Sequence, residues 1–182
     1  MATTLLIGGA RSGKSALAVD MAEAWDGPVT FIATAEARDE EMTVRIEQHR
    51  RERPSHWATT EEPIEIAKAL ESVADGALVI LDCLTLWIAN LIDRGFSEKE
   101  IDDRARDVLK AAVSRPWPVV VVTNEVGSGI VPDNPAARAF QDLLGSINTI
   151  FANNARHVLF VAAGRVLSMK RPEEVFDDVL DR

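Results

Sequence analysis

The stretch TLLIGGARSGKS, residues 4–15, joins a short apolar run to a glycine-rich turn and to the start of a helical pattern. Its last eight residues match G-x-x-x-x-G-K-[ST] at every fixed position, in the strand–turn–helix context that the motif requires. In such a turn, backbone N–H groups surround a phosphate and the helix N-terminus adds positive potential. The stretch therefore predicts a P-loop, with nucleotide contacts from Gly8, Gly9, Ala10, Arg11, Ser12, Gly13, Lys14 and Ser15.

Three side chains near this turn have predicted roles in phosphoryl transfer. Lys14 is expected to reach the β- and γ-phosphates, and the hydroxyl of Ser15 is expected to bind Mg²⁺. Asp82 ends the apolar run ALVILD, and a carboxylate at the end of a neighbouring strand is a suitable second magnesium ligand. The alternatives are a chance glycine-rich turn and an ordinary strand-end or helix-capping aspartate, and both are disfavoured by the complete motif and by position.

Five nearly continuous apolar runs alternate with helical patterns along the chain. Runs of this kind are typical of parallel strands that are covered on both faces. The predicted strands are 4–9, 28–34, 77–83, 118–124 and 157–163, and the predicted helices are 14–24, 37–52, 64–74, 84–93, 97–113 and 135–154. Residues 165–169 are interpreted as a short edge strand and 171–182 as a terminal helix. The alternation predicts an α/β fold, a mainly parallel, doubly wound sheet with helices on both faces.

Composition and charge restrict the function. The 182 residues are 47% hydrophobic and show no linker, so we expect one P-loop nucleotide-binding domain over 1–182. A net charge of −9 argues against nucleic acid and anionic membranes as partners. A lone cysteine, Cys83, favours a reducing cytoplasm. We expect no signal peptide and no membrane span.

Positive charge is concentrated in RIEQHRRERPSHW, residues 45–57. Here His49 is followed by Arg50, Arg51 and Arg53. Such a run is either a solvated helix end or a nucleophile surrounded by arginines that bind phosphate. The run itself leaves both interpretations open.

Four segments together carry a more specific resemblance than the P-loop does. They are GGARSGKS (8–15), FIATAEARDEEMTVRIEQHRRERPSHW (31–57), LDCLTLWIANLI (81–92) and VVVTNEVGSGIVPDNPAARAFQDLLGSIN (120–148). From about residue 4 to residue 170 the chain resembles the bifunctional adenosylcobinamide kinase / adenosylcobinamide-phosphate guanylyltransferases of cobalamin biosynthesis. The resemblance implies a RecA-like P-loop NTPase fold and a homotrimer.

The resemblance also implies two reactions and a set of site residues. Adenosylcobinamide is phosphorylated with ATP or GTP; GMP then passes from GTP to that phosphate through a covalent GMP–histidine, releasing pyrophosphate. The family's nucleophile lies in R-I-x-x-H, which is R-I-E-Q-H here, so His49 and Lys14 are the expected catalytic residues. Ser15 and Asp82 are expected to hold Mg²⁺. The other expected nucleotide contacts are Ala33, Thr34, Ala35, Arg50, Arg51, Glu52, Arg53, Glu61 and Asp82.

Several alternatives remain open at this point. One is a P-loop small-molecule kinase without guanylyl transfer, in which His49 is a solvated helix residue; another is a regulatory nucleotide-binding module. Glu61 can recognise guanine or ribose, or can serve as an acid near a helix N-terminus. The loop 124–134 is a corrinoid contact, a subunit interface or a purely structural loop. The family often has Glu at the position of Asp82, and either residue can serve the metal.

Overall fold

The structure, a computed structural model, describes residues 3–179 of the chain. Its frame is a seven-stranded sheet in the order β3-β2-β4-β5-β1-β6-β7. The strands are β1 (Thr3–Gly8), β2 (Val29–Ala33), β3 (Ala58–Glu61), β4 (Leu78–Asp82), β5 (Val119–Asn124), β6 (His157–Ala162) and β7 (Arg165–Ser168). Strands β1 to β6 pair in parallel, and β7 pairs antiparallel with β6. The mainly parallel sheet predicted from the apolar runs is confirmed.

Helices cover both faces of this sheet. They are α1 (Lys14–Glu23), α2 (Glu40–Arg51), α3 (Ile66–Ser72), α4 (Leu84–Asp93), α5 (Glu98–Ser114), α6 (Pro135–Asn154) and α7 (Phe176–Val179), with a 3-10 turn at Pro172–Val175. One apolar cluster packs α3 to α6 against the sheet, and a second packs α1 against the opposite face. Neighbouring strand residues such as Val121 and Val122 belong to different clusters. Because both faces of the central strands are buried, their sequences are unbroken apolar runs.

The structure departs from the sequence-based prediction in four places. The edge strand β3, ATTE, was not predicted, because its four residues are exposed and have no apolar run. Helix α2 begins at Glu40 rather than residue 37, since Asp39 caps it by accepting the Met42 N–H at 2.7 Å. Helix α3 begins at Ile66 because Glu62 accepts the two N–H groups just before it. The predicted tail helix is a 3-10 turn followed by α7, and its last residues lie outside the described range.

No helix within residues 3–179 combines the length and the apolar character needed to cross a bilayer.

The segment that leads from β2 into α2 is tied to α4 by polar contacts. Glu36 accepts from Arg94 at 2.5 and 3.0 Å and from Arg38 at 2.9 Å. Arg38 also donates to Asn90 at 2.7 Å, and the Asn90 amide donates to the carbonyl of Thr34 at 2.7 Å. Hydrogen bonds first from Arg94 and then from Arg38 lower the pKa of Glu36 to about 2. The N-terminal end of α2 is therefore anchored to the fold by a charged cluster.

This cluster predicts an acid-dependent loss of stability. The pKa of Glu36 is depressed in the folded state. Its contribution to the free energy of unfolding is therefore complete above the ordinary pKa of 4.5 and is lost as the pH falls towards 2. We expect Glu36→Gln to lower the urea midpoint at pH 7, with the gap to the native protein narrowing between pH 4.5 and 3. The control is Glu41→Gln, which removes a charge from an 85% exposed side chain. A gap that stays constant across this pH range would contradict the assignment.

Candidate active site

A cavity of about 340 Å³ opens at the carboxyl edge of the sheet. The P-loop forms one wall, the ends of β2, β4 and β5 form the floor, and α2 forms the opposite wall. Strand register brings the floor together, because Ala33 is paired with Glu61 on one side and with Asp82 on the other. This is the edge at which ligands bind in open parallel sheets.

The P-loop holds the ammonium group of Lys14 within the turn. Lys14 Nζ donates to the carbonyl oxygens of Gly8 at 3.0 Å and Gly9 at 2.7 Å, and lies 3.4 Å from the hydroxyl of Ser12. The residue is buried, and burial lowers its pKa. A cation enclosed by a turn at a helix N-terminus is suited to bind phosphate oxygens.

Two glycines fix the path of the loop. A Cβ on Gly8 would lie 2.1 Å from the carbonyl oxygen of Val161 on β6, so no larger residue fits there without moving backbone. Gly13 has φ of 105°, a conformation that side chains disfavour, and caps α1. The loop is also joined to the β6–β7 turn, since Gly164 N–H donates to Ser12 O at 2.9 Å.

Gly8 and Gly9 provide a matched pair for testing this packing. We expect Gly8→Ala to lower the free energy of unfolding by several kcal/mol, about the cost of a severe overpacking. Gly9→Ala meets no atom within 4 Å and is expected to change stability little. Thermal unfolding of both variants measures the difference. Equal midpoints would show that the contact between Gly8 and Val161 does not constrain the loop.

Ser15 and Asp82 form a pair of oxygen ligands beside Lys14. The Ser15 hydroxyl donates to Asp82 Oδ2 at 3.0 Å. Burial raises the pKa of Asp82, and this effect is opposed by the Ser15 hydrogen bond and by nearby positive charges that include Arg53 and Lys14. A hydroxyl and a carboxylate are hard oxygen ligands of the kind that Mg²⁺ takes, usually together with waters and phosphate oxygens. The side chains present therefore fit the predicted metal.

Helix α2 and the residues that follow it present His49, Arg45, Arg50 and Arg53 to the cavity. None of the residues of α2 is buried, and the His49 side chain is 48% exposed. Arg50 pairs with Glu61 at the end of β3, while the guanidinium of Arg53 lies over the Phe31 ring, 3.5 Å from its centroid. Polar and cation–π contacts thus hold the C-terminal end of the helix against the sheet.

Most of the predicted site residues meet in this cavity. Those that line it are Ala10, Arg11, Ser12, Gly13, Lys14, Ser15, Ala33, Ala35, His49, Arg50, Glu52, Arg53, Glu61 and Asp82. Gly8 and Gly9 are not among the lining residues, and their carbonyl oxygens accept hydrogen bonds from Lys14. Thr34 is fully buried, and its hydroxyl donates to the carbonyl of Cys83 and accepts from the Cys83 N–H, each at 2.8 Å. Arg51 is 82% exposed and lies 3.6 Å from Glu47.

Some residues of the cavity wall were not predicted. Arg45 and Ile46 lie four and three residues before His49, so helical periodicity could have placed them on its face. Asn124 ends β5 directly opposite Gly8, and it is the one residue of the stretch 124–134 that lines the cavity. Apolar neighbours such as the partly buried Leu86 and the buried Val122 carry no signal that separates them from the core.

Comparison with known proteins decides the family. A family model described as CobU: Cobinamide kinase / cobinamide phosphate guanyltransferase matches residues 4–169. The chain belongs to this family. It is therefore an enzyme of the cobinamide kinase / cobinamide phosphate guanyltransferase family, and the resemblance stated from the four sequence segments is confirmed.

Curated relatives match along nearly their whole length. The chain is 39% identical over 167 residues to the bifunctional adenosylcobalamin biosynthesis protein CobP of Pseudomonas aeruginosa, covering 91% of this chain and 96% of that protein. It is 38% identical to the bifunctional adenosylcobalamin biosynthesis protein CobU of Salmonella typhimurium, covering 91% and 98%.

Similar solved structures support the fold. The RadB recombinase superposes with a TM-score of 0.51 at 20% identity, covering 87% of this chain and 73% of that one. A prototypical ATPase from a type III secretion system gives 0.56 at 11% identity, covering 98% and 61%. At this identity the likeness concerns architecture alone, and it confirms the RecA-like P-loop fold.

Proposed function

We propose that this chain phosphorylates adenosylcobinamide with ATP or GTP and then transfers GMP from GTP to that phosphate through a covalent bond to His49. The products are adenosylcobinamide-GDP and pyrophosphate. The observation that carries the proposal is that the P-loop and His49 face each other across one cavity. Membership of the cobinamide kinase / cobinamide phosphate guanyltransferase family supports both reactions.

The kinase step uses the P-loop side of the cavity. Lys14 binds the β- and γ-phosphates, and Ser15 and Asp82 hold the magnesium ion. When bound, Mg²⁺ would supply positive charge beside the phosphate oxygens. Phosphoryl transfer depends mainly on positioning and electrostatic stabilisation, and Lys14, Ser15 and Asp82 line the same cavity, an arrangement suited to it.

The guanylyl step uses the α2 side. A ring nitrogen of His49 attacks the α-phosphorus, and the P–O bond to pyrophosphate breaks with its electron pair. Arg50 and Arg53 line the cavity and would neutralise charge on the transferring group. We assign no such role to Arg51, because its side chain points to solvent.

The two steps attack different phosphorus atoms, so either the nucleotide binds in two ways or His49 moves. We favour movement of α2, since the helix has no buried residue and is held by polar contacts at both ends. Val44 is 64% exposed on α2 and is a suitable site for a spin label. Paired with a second label on α5, it would report the distance between the two helices with and without GTP. An unchanged distance distribution would favour two nucleotide poses instead.

The covalent step can be tested without the corrinoid. We expect native protein incubated with Mg²⁺ and α-labelled GTP to retain label after denaturation, and to lose it in mild acid but not in alkali, as a phosphoramidate does. His49→Ala should reduce the label to background. His157→Ala is the matched control, because His157 lies at the amino end of β6, away from the cavity.

Two outcomes would contradict the proposal in different ways. Label on His49→Ala would place the nucleophile elsewhere. Native protein that binds GTP but takes no label would leave the alternative, a P-loop small-molecule kinase in which His49 is a solvated helix residue.

The homotrimer and the cytoplasmic location are further parts of the proposal. Val166, Leu167 and Met169 are exposed on and beside the edge strand β7, a surface that a second copy could cover. The mass in solution tests the trimer. The buried, reduced Cys83 is compatible with a reducing compartment, and cell fractionation tests the location.

A further inference from the structure

A carboxylate faces the ring of His49 at the end of α2. Glu52 Oε2 lies 3.3 Å from His49 Nδ1, and both side chains line the cavity. The other oxygen of the same carboxylate accepts from Gln48 Nε2 at 3.1 Å. Glu52 is therefore held on one side by Gln48 and presents its second oxygen to the imidazole.

The neighbouring charges of this helix end are engaged with other residues. Arg50 pairs with Glu61, and Arg53 lies over Phe31. Glu47, one turn earlier, lies beside Arg51 on the exposed side. The ion pair that Glu52 makes within 4 Å is with His49, and its charge also acts on Arg53 from further away.

We propose that Glu52 is a positioning residue for His49, which accepts the Nδ1–H and directs Nε2 towards the nucleotide. An ionised carboxylate can only accept hydrogen bonds, so it selects the tautomer in which Nδ1 carries the proton. Nε2 then holds the free lone pair. The inference deepens the proposed guanylyl transfer and rests on it.

The electron count follows directly from this tautomer. The Nε2 lone pair forms the N–P bond to the α-phosphorus, and pyrophosphate leaves with the electrons of the broken P–O bond. The ring becomes positive, and the carboxylate of Glu52 offsets that charge, as an acid beside a catalytic histidine does. When the acceptor phosphate attacks, the N–P electrons return to Nε2. The proton stays on Nδ1 throughout.

The test is Glu52→Gln, which keeps the shape of the side chain but removes its charge. In a single turnover with α-labelled GTP, we expect labelling of His49 to slow by about 10- to 100-fold, the loss typical when the carboxylate partner of a metal-bound histidine is removed. The Kd for GTP should change much less. Because Glu52 is 52% exposed, the variant should fold, which thermal unfolding checks.

A second readout is independent of catalysis. The ¹⁵N NMR spectrum of the histidine rings in nucleotide-free protein should show His49 protonated at Nδ1 in the native chain, and a shift towards protonation at Nε2 in Glu52→Gln. The chain has three histidines, and His49→Ala assigns the signal. A purely structural role for Glu52 would leave the tautomer unchanged.

The matched control is Glu47→Gln, which removes the same charge from the same helix but lies outside the cavity. We expect it to label at the native rate with the native tautomer. If both variants slowed labelling equally, the cause would be the loss of one negative charge anywhere on the helix, and the proposal would be overturned. A Glu52→Gln variant with the native labelling rate and the native tautomer would overturn it as well. Native protein that shows the Nδ1–H tautomer but takes no label would overturn guanylyl transfer itself while leaving the contact between Glu52 and His49 established.

Discussion

The parallel pairing of β1 between β5 and β6 is the constraint on which the site depends. Both faces of β1 are buried, with Leu5 in one apolar cluster and Leu6 in the other, so its register cannot slip without exposing apolar side chains to water. That register places Gly8 opposite Asn124 and against the carbonyl of Val161. The P-loop therefore starts from a fixed point at the carboxyl edge of the sheet.

The two walls of the cavity are built on different physical principles. The P-loop wall is positioned by steric contact with β6 and by hydrogen bonds within the turn. The α2 wall is positioned by charged and polar contacts: the Glu36 cluster at one end, and Arg50 and Arg53 at the other. Steric constraints suit a phosphate cradle that keeps one shape, whereas solvated polar contacts would suit the movement that we propose for His49.

Sequence predicted the elements whose signals are local. Helix α6 has the predicted bounds because Asn134 caps it and Pro135 occupies its first turn, and the capping box of Ser97 and Glu100 starts α5 as its residues indicate. Strand β3 was missed because it is ordered by the free edge of β2 and not by its own residues. Such a tertiary cause leaves no trace in four exposed residues.

Within the site, two residues that motif matching predicted as nucleotide contacts have their side chains directed elsewhere in the structure. Thr34 was predicted as a nucleotide contact, but its hydroxyl joins β2 to the residue after β4. Arg51 follows His49 by two residues, about 200° around a helix, and so faces away from it. The contact between Glu52 and His49 could not be predicted from the sequence. A spacing of three residues allows the two side chains to meet, but their rotamers decide whether they do.

Because no residue of α2 is buried, substitutions in the segment that carries His49 have little influence on the stability of the fold. Substitutions of exposed side chains away from specific contacts usually change folding free energy by no more than about 0.5 kcal/mol. The contacts that α2 makes are mainly ion pairs and hydrogen bonds between exposed side chains, each contributing about 0–1 kcal/mol, so the helix can vary in sequence while the sheet and the P-loop stay intact. Loss of function in this segment would then leave melting temperature and expression almost unchanged. A survey of variants by stability alone would classify damaged enzymes as healthy ones.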